Sequence, residues 1–276
     1  MRAQNQPTQN KLALYDLART LDPKNVSAYI YRSNARCFLN DYAGAIADDT
    51  RAIELNPQYA NAYSERGKIK LSTGDFTGAV ADFKKNLQLS PQNVDVYVHC
   101  GAAEVALKQY AEAMADCNKA IQLDPRSAAA YYNRGNAEAA RIDYVGAAAD
   151  FDMAIKLNPR YTEAYNARGN VRSAVKKYAD AIADFNQTLA LNPRFADAYN
   201  SRGQVNYTLE NYPQAIVDLD QAIALNPRFA EAYSTRGSAR YFLKNYPAAI
   251  ADASTALRLD PHDAMAYYTR GSSEFF

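Results

Sequence analysis

Several residue types are scarce in this chain of 276 residues. It has no tryptophan, three cysteines and two histidines, His99 and His262. Three cysteines cannot form a disulfide framework, and two histidines offer little for a metal site. The formal net charge is only +1, from 31 basic and 30 acidic residues. The chain therefore lacks the positive excess of a nucleic-acid-binding protein, and we expect no nucleic-acid partner.

Long apolar runs and catalytic motifs are also missing. No apolar run approaches the roughly 18 residues that a membrane-spanning helix needs, and residues 1–10 lack the apolar stretch of a secretory signal. These absences favour the cytoplasm and no membrane span. The chain contains no G-x-x-x-x-G-K-[ST], G-x-S-x-G or H-E-x-x-H sequence, and no second histidine or Asp/Glu cluster at ligand spacing supports His99 as a metal ligand. We therefore expect no enzyme activity, no metal and no cofactor.

What the chain has in abundance is periodicity. Eight of the 11 prolines, eight of the 22 tyrosines and seven of the 11 glycines recur every 34 residues without insertion or deletion. A fixed period of this length indicates an array of repeated structural units. The periodic residues are Pro23, Pro57, Pro91, Pro125, Pro159, Pro193, Pro227 and Pro261; Tyr29, Tyr63, Tyr97, Tyr131, Tyr165, Tyr199, Tyr233 and Tyr267; and Gly67, Gly101, Gly135, Gly169, Gly203, Gly237 and Gly271.

Each repeat is numbered here from the third residue after a periodic proline. Seven complete repeats then fill residues 26–263, with the second half of an earlier repeat in 1–25 and the first half of a later one in 264–276. Each repeat contains two segments with helical spacing of apolar residues, and its proline ends the second. Glycine inside a helix costs about 1 kcal/mol relative to alanine, so its recurrence predicts close approach of a neighbouring helix. Such helix pairs must stack on one another to bury their apolar faces.

The repeat has a large aromatic residue at position 4, glycine at 8, alanine at 20, an aromatic residue at 24 in several copies and proline at 32. This pattern resembles the tetratricopeptide repeat. Position 20 is alanine in all seven complete repeats, whereas position 24 is aromatic only at Phe83, Phe151 and Phe185. The resemblance implies an all-α fold: a right-handed superhelical solenoid of antiparallel helix pairs, with a concave groove lined by the first helices. It implies no single activity.

Charged residues also follow the repeat. Position 7 is arginine except at Cys100, and position 23 is aspartate in every complete repeat. If the turn between the helices centres near position 15 or 16, antiparallel pairing places position 7 opposite position 23 or 24. We therefore predict a ladder of bidentate Arg–Asp ion pairs. In the third repeat, Cys100 and Cys117 should be neighbours, either as two buried thiols or as a disulfide, and Asp116 needs a different partner.

The resemblance also implies that positions 2, 5, 6, 9, 12 and 13 of the first helices line the groove. The only basic residue among them is Lys68, so a clamp for acidic peptide termini is not expected. Amide side chains at these positions could bind an extended peptide backbone, or they could only keep the groove soluble. The aromatic side chains there could anchor a partner, or they could belong to the hydrophobic core. Acidic residues at position 2 could interact with the positive end of the helix dipole, or they could form an acidic groove edge that selects basic partners. The predicted groove residues are Tyr31, Asn34, Tyr132, Asn133, Asn136, Asn166, Asn170, Asn200, Gln204, Tyr207 and Tyr241.

The sequence thus predicts a non-enzymatic interaction scaffold that binds a peptide or protein segment in its groove. Two alternatives stay open: a self-assembling architectural repeat protein, and the recognition module of a larger enzyme. Because the chain starts and stops in mid-repeat, we expect a fragment of a longer array or self-association through uncapped ends.

Overall fold

Each 34-residue repeat forms two α-helices. The computed structural model describes residues 12–18, 20 and 22–275; the rest of the predicted N-terminal half repeat, and Phe276, lie outside the described residues. Within the described part of the chain the fold is all-α, and no strand occurs. The helices are α1 (12–18), α2 (Val26–Phe38), α3 (Tyr42–Leu55), α4 (Ala60–Thr73), α5 (Phe76–Leu89), α6 (Val94–Ala106), α7 (Tyr110–Leu123), α8 (Ala128–Ala140), α9 (Tyr144–Leu157), α10 (Thr162–Ala174), α11 (Tyr178–Leu191), α12 (Ala196–Thr208), α13 (Tyr212–Leu225), α14 (Ala230–Phe242), α15 (Tyr246–Leu259) and α16 (Ala264–Glu274).

The turn inside each repeat depends on one residue in the left-handed backbone conformation, at position 15. Gly74 fills this position in the second repeat with φ of 87°, and six other residues adopt φ of 60–67°. The next backbone N–H donates to the carbonyl of position 11, as Asp41 N does to Arg36 O at 2.9 Å, which closes the first helix. The six non-glycine residues are Asn40, Lys108, Ile142, Lys176, Glu210 and Lys244.

The tyrosines at position 4 bind the loop that joins one repeat to the next. The hydroxyl of Tyr63 donates to the carbonyl of Pro57 at 3.2 Å, and Tyr97 donates to Pro91 at 3.3 Å. The periodic proline ends the second helix of one repeat, and the tyrosine of the next repeat satisfies that proline's carbonyl. The two strongest periodic signals in the sequence thus meet at one contact.

Close helix packing explains the periodic glycine and alanine. A Cβ atom on Gly67 would lie 2.6 Å from Cε1 of Phe83, and one on Gly169 would lie 2.7 Å from Cε1 of Phe185. The alanine at position 20 has no exposed surface in any complete repeat. The prediction of close helix approach at the glycine is therefore confirmed.

The described helices group into two compact units, which divide between Asp143 and Tyr144. In the first unit, Phe83 packs with Val96 of the next repeat. In the second, Leu219 packs with Ala232 in the same way. Each unit is therefore a stack of helix pairs whose core lies between successive helices. None of the helices within the described residues is both long and apolar enough to span a membrane.

Candidate functional site

The arginines at position 7 are held by aspartates in ion pairs. In the fifth repeat, Arg168 Nε lies 3.0 Å from Asp184 Oδ2, and Nη2 lies 2.5 Å from Oδ1. Its Nη1 donates to Asp152 of the preceding repeat at 2.5 Å. The predicted Arg–Asp ladder is confirmed in five repeats, where the pairs are Arg32–Asp48, Arg66–Asp82, Arg168–Asp184, Arg202–Asp218 and Arg236–Asp252.

These guanidinium groups also stack on the periodic tyrosines. Arg168 lies 5.5 Å from the ring centroid of Tyr165, and Arg236 lies 5.3 Å from that of Tyr233. A guanidinium bound on one side by carboxylates and on the other by an aromatic face has few donors left for a ligand. The ladder is therefore part of the architecture.

The third repeat departs from this arrangement. Cys100 and Cys117 are both buried and neither forms a disulfide, in agreement with the alternative of two buried thiols. A Cβ atom on Gly101 would lie 2.7 Å from Cys117 Sγ, so this thiol takes the place of the phenylalanine ring of other repeats. Cys100, Glu104 and Asp116 come together as the one group of three possible metal ligands that the described residues contain. The sequence reasoning singled out Cys100 and Asp116 but missed Glu104.

Two of the amides predicted to line the groove are buried. Asn133 Nδ2 donates to the carbonyl of Val98 at 2.9 Å, and Asn200 Nδ2 lies 3.4 Å from Glu231 Oε2. The Oδ1 atoms of Asn200 and Asn166 are buried without a hydrogen-bond donor. Of the remaining amides, Asn34 and Asn170 are exposed, and Asn136 and Gln204 are half-buried.

The predicted groove tyrosines have different surroundings in the two units. In the first, Tyr31 is exposed and stacks on Tyr15 at a centroid distance of 5.7 Å, and Tyr132 is half-buried. In the second, Tyr207 and Tyr241 are half-buried in an aromatic cluster around Phe242. The ring of Phe242 lies 6.2 Å from Tyr207 and 5.5 Å from Tyr241, and it stacks in parallel on Tyr212 at 5.0 Å.

Lys68, the one basic residue among the groove positions, is paired within the protein. Its Nζ lies 2.7 Å from Asp95 Oδ2 and 3.6 Å from Glu65 Oε1. A lysine held between two carboxylates is a poor receptor for a peptide carboxylate.

Gln204 and Tyr207 line a pocket of about 620 Å³ in the second unit. Its lining carries three carboxylates, those of Glu231, Asp260 and Asp263, and no lysine or arginine among the described lining residues. We call this the acidic pocket. Burial raises the pKa of the Tyr207 hydroxyl above its ordinary value.

Polar groups at the edge and floor of the acidic pocket keep unused bonding capacity. Asp260 Oδ1 accepts from His262 N, and Asp263 Oδ1 accepts from Ala266 N at the start of α16, both at 2.9 Å. The hydroxyl of Ser234 is buried and has no hydrogen-bond partner. Sequence reasoning missed Asp260 and Asp263 because positions 31 and 34 lie outside the groove positions of the first helix. The one sequence signal that could have identified Asp260 is a difference at position 31, where four of the other repeats have asparagine.

Comparisons with known proteins match the repeat pattern. The sequence model of the family described as "Tetratricopeptide repeat" matches residues 32–94, 166–231, 207–264 and 234–275, and a second, described as "TPR repeat", matches residues 101–140. No curated protein matches the chain in sequence.

Solved structures of several repeat proteins have a similar fold. A chain of the APC/C hetero-tetramer Cut9-Hcn1 aligns with a TM-score of 0.77 and 18% identity over 96% of this chain and 52% of that one. This chain therefore spans about half the length of that relative. A tetratricopeptide repeat protein from Parabacteroides merdae aligns with a TM-score of 0.70 and 18% identity, over 90% of this chain and 98% of the other. YrrB, described as a TPR protein with an unusual peptide-binding site, aligns with a TM-score of 0.55 and 19% identity, over 68% and 97%.

Proposed function

Because the chain belongs to the tetratricopeptide repeat family, we propose that it is a non-enzymatic scaffold that binds a peptide or protein segment on the surface of its first helices. The acidic pocket is the observation that carries this proposal. It combines a concave surface, an amide at Gln204, an aromatic ring at Tyr207 and unpaired polar groups, which together suit a peptide. The peptide-binding site named for YrrB is consistent with this function.

The charge of the acidic pocket favours a partner segment that carries lysine or arginine. Three carboxylates line the pocket: Glu231 lies 3.4 Å from the amide nitrogen of Asn200, and Asp260 and Asp263 accept from backbone N–H groups. A basic side chain could bind Glu231 or Asp260 while its aliphatic stem lies on the ring of Tyr207. Complementary charge would speed association and exclude acidic segments.

The other predicted groove residues extend this surface along each unit in our proposal. The amides that keep exposed surface, Asn34, Asn136 and Asn170, are suited to bind peptide backbone through their donor and acceptor atoms. Tyr31 provides an exposed aromatic face in the first unit. Asn133 and Asn200 have a supporting role, since their side chains bind neighbouring helices.

The test uses two labelled peptides with the same extended sequence and a central lysine or glutamate. We expect tighter binding of the lysine peptide by fluorescence anisotropy, and a loss of that preference at high salt. Gln204→Ala and Glu231→Gln should each weaken the binding. Gln187→Ala and Asp180→Asn, exposed on α11, are matched controls that should not. Equal binding of both peptides would refute charge selection, and failure of an unbiased peptide library to yield any ligand would refute the scaffold.

A second candidate function is self-assembly, which the exposed face of α16 favours. Tyr267, Tyr268 and Met265 are 52%, 68% and 45% exposed. Adjacent apolar groups of this kind mark protein contact surfaces. Light scattering across a concentration series tests it: growth in mass that Tyr268→Ser suppresses supports self-assembly, and a monomer at every concentration refutes it.

A further inference from the structure

The positions that hold the Arg–Asp ladder carry a different set of side chains in the third repeat. In the fifth repeat, the Asp184 carboxylate binds two cations, Arg168 from position 7 and Arg172 from position 11. In the third repeat, positions 7 and 11 are Cys100 and Glu104, and position 23 is Asp116. The two positions that guanidinium groups fill in the fifth repeat therefore hold a thiol and a carboxyl group, beside the aspartate at position 23.

These three side chains converge. Cys100 and Glu104 are four residues apart on α6 and share one face, and Asp116 faces them from α7. One ligand atom from each, the Sγ and two carboxylate oxygens, all lie within 4.8 Å of one another. Cys100 and Glu104 have no exposed surface, and Asp116 is half-buried.

Two carboxylate oxygens of this cluster lack hydrogen-bond partners. Lys84 Nζ lies 2.9 Å from Glu104 Oε1, but Glu104 Oε2 and Asp116 Oδ2 are buried with no hydrogen-bond donor. A fully buried carboxylate with an empty oxygen is costly, and a cation is one of the few groups that removes the cost.

We propose that Cys100, Glu104 and Asp116 bind a zinc ion. Zinc takes one thiolate at about 2.3 Å and carboxylate oxygens at about 2.0–2.2 Å in a tetrahedron, and water can fill the fourth position. Such a tetrahedron separates its S and O ligands by roughly 3.6 Å and its two O ligands by roughly 3.4 Å, so the three atoms need to approach one another by at most about 1.4 Å. The thiolate favours zinc over magnesium or calcium, which prefer oxygen ligands alone.

Binding exchanges protons for the metal. The S–H bond of Cys100 breaks, an S–Zn bond forms, and the proton leaves to the solvent together with any proton that Glu104 holds. Affinity therefore rises with pH. Lys84, whose side chain is 50% exposed, covers Glu104 and can move out to water when the cation enters. The metal would then link α6 to α7, as the Arg–Asp pair links the helices of other repeats.

The test titrates the reduced full chain with Co²⁺, a coloured substitute for zinc. We expect thiolate-to-cobalt charge-transfer absorption in the near ultraviolet, which added Zn²⁺ abolishes. Cys100→Ser should remove this absorption, whereas Cys37→Ser and Cys117→Ser should keep it. Circular dichroism confirms that each variant folds. Absence of the charge-transfer absorption in the folded parent chain, or its survival in Cys100→Ser, would overturn the proposal.

Two further variants test the carboxylate and the covering lysine. Glu104→Gln should weaken Co²⁺ binding about tenfold or more, since it removes one charged ligand. Lys84→Met should strengthen binding, because it removes a positive charge beside the metal. Zn²⁺ should also raise the melting temperature of the parent chain and leave that of Cys100→Ser unchanged. An equal shift in both proteins would overturn the proposal.

Discussion

The third and fifth repeats have helices of the same length at the same repeat positions but different polar side chains. In the fifth, Asp184 binds two arginines at the junction of its helices. In the third, Asp116 stands in the same place beside Cys100 and Glu104, with no arginine. Both repeats keep glycine at position 8 and a buried alanine at position 20. The comparison teaches that close apolar packing maintains the helix pair, while the polar groups beside it can change chemistry.

The largest difference is expected for the aspartate at position 23. Asp184→Asn should lower the free energy of unfolding by about 3 kcal/mol, because it leaves the partly buried Arg168 and Arg172 with only the exposed carboxylate of Asp152 as a charged partner. Asp116→Asn in the metal-free protein should cost no more than about 1 kcal/mol, since Asp116 Oδ2 has no hydrogen-bond partner to lose. Urea unfolding of both variants measures the difference. Equal losses would show that the two repeats depend on this residue in the same way.

The glycine at position 8 should matter only where a second helix lies against it. Gly169→Ala should destabilise the protein by about 2 kcal/mol, because the new methyl group would lie 2.7 Å from the ring of Phe185. Gly271 has nothing within 4 Å of such a methyl group. Gly271→Ala should instead stabilise α16 by up to about 1 kcal/mol. Thermal unfolding measures both, and a destabilising Gly271→Ala would contradict the packing explanation.

The first repeat breaks the same packing rule and should show it as a dependence on pH. Ser33 and Asp49 occupy positions 8 and 24, where Gly67 and Phe83 pack in the second repeat. Burial raises the pKa of Asp49 from an ordinary value of 3.8 to about 8. Between these values the folded protein keeps a proton that the unfolded chain has lost. Stability should therefore fall as pH rises, by up to about 1.4 kcal/mol per pH unit, and level off above the folded pKa.

Asp49→Asn tests this pH dependence, since asparagine does not titrate. The parent chain and the variant are unfolded in urea at several pH values between 4 and 9. The slope of stability against pH should differ between the parent chain and Asp49→Asn. The parent chain and Asp180→Asn, a variant at an exposed aspartate on α11, should have the same slope. Parallel slopes for the parent chain and Asp49→Asn would contradict the raised pKa.

The smallest effect is expected at the turn position. Ile142 is a β-branched residue with φ of 67°, whereas Gly74 meets the same requirement with φ of 87°. Ile142→Gly should stabilise the first unit by about 0.5–1 kcal/mol, because glycine adopts this conformation without steric cost. Gly74→Ala should destabilise it by a similar amount. Hydrogen exchange of the two turns resolves the changes, and a destabilising Ile142→Gly would contradict them.

Much of the fold was predictable because the same helix contacts recur from repeat to repeat. The 34-residue period located the helix pairs, and the offset of 16 between Arg168 and Asp184 predicted their ion pair. The candidate site was predicted less well. Asn133 and Asn200 bind neighbouring helices, and Asp260 and Asp263 reach the acidic pocket from a loop. The contacts of these side chains depend on small rotations of helices and on loop geometry. The position of a residue within the repeat does not specify either of them.

The sequence by itself determined the helix pairs, their boundaries and the residues at their closest approach. Proline, glycine and alanine act through local backbone geometry and the volume of a single side chain, and both can be read from residue type. Tertiary structure decided which polar groups are left without partners. Glu104 is buried beside Cys100 and Asp116, and Ser234 is buried in the acidic pocket, because neighbouring helices pack against them. Burial and unpaired charge are properties of the assembled neighbourhood, and they direct attention to the two sites proposed.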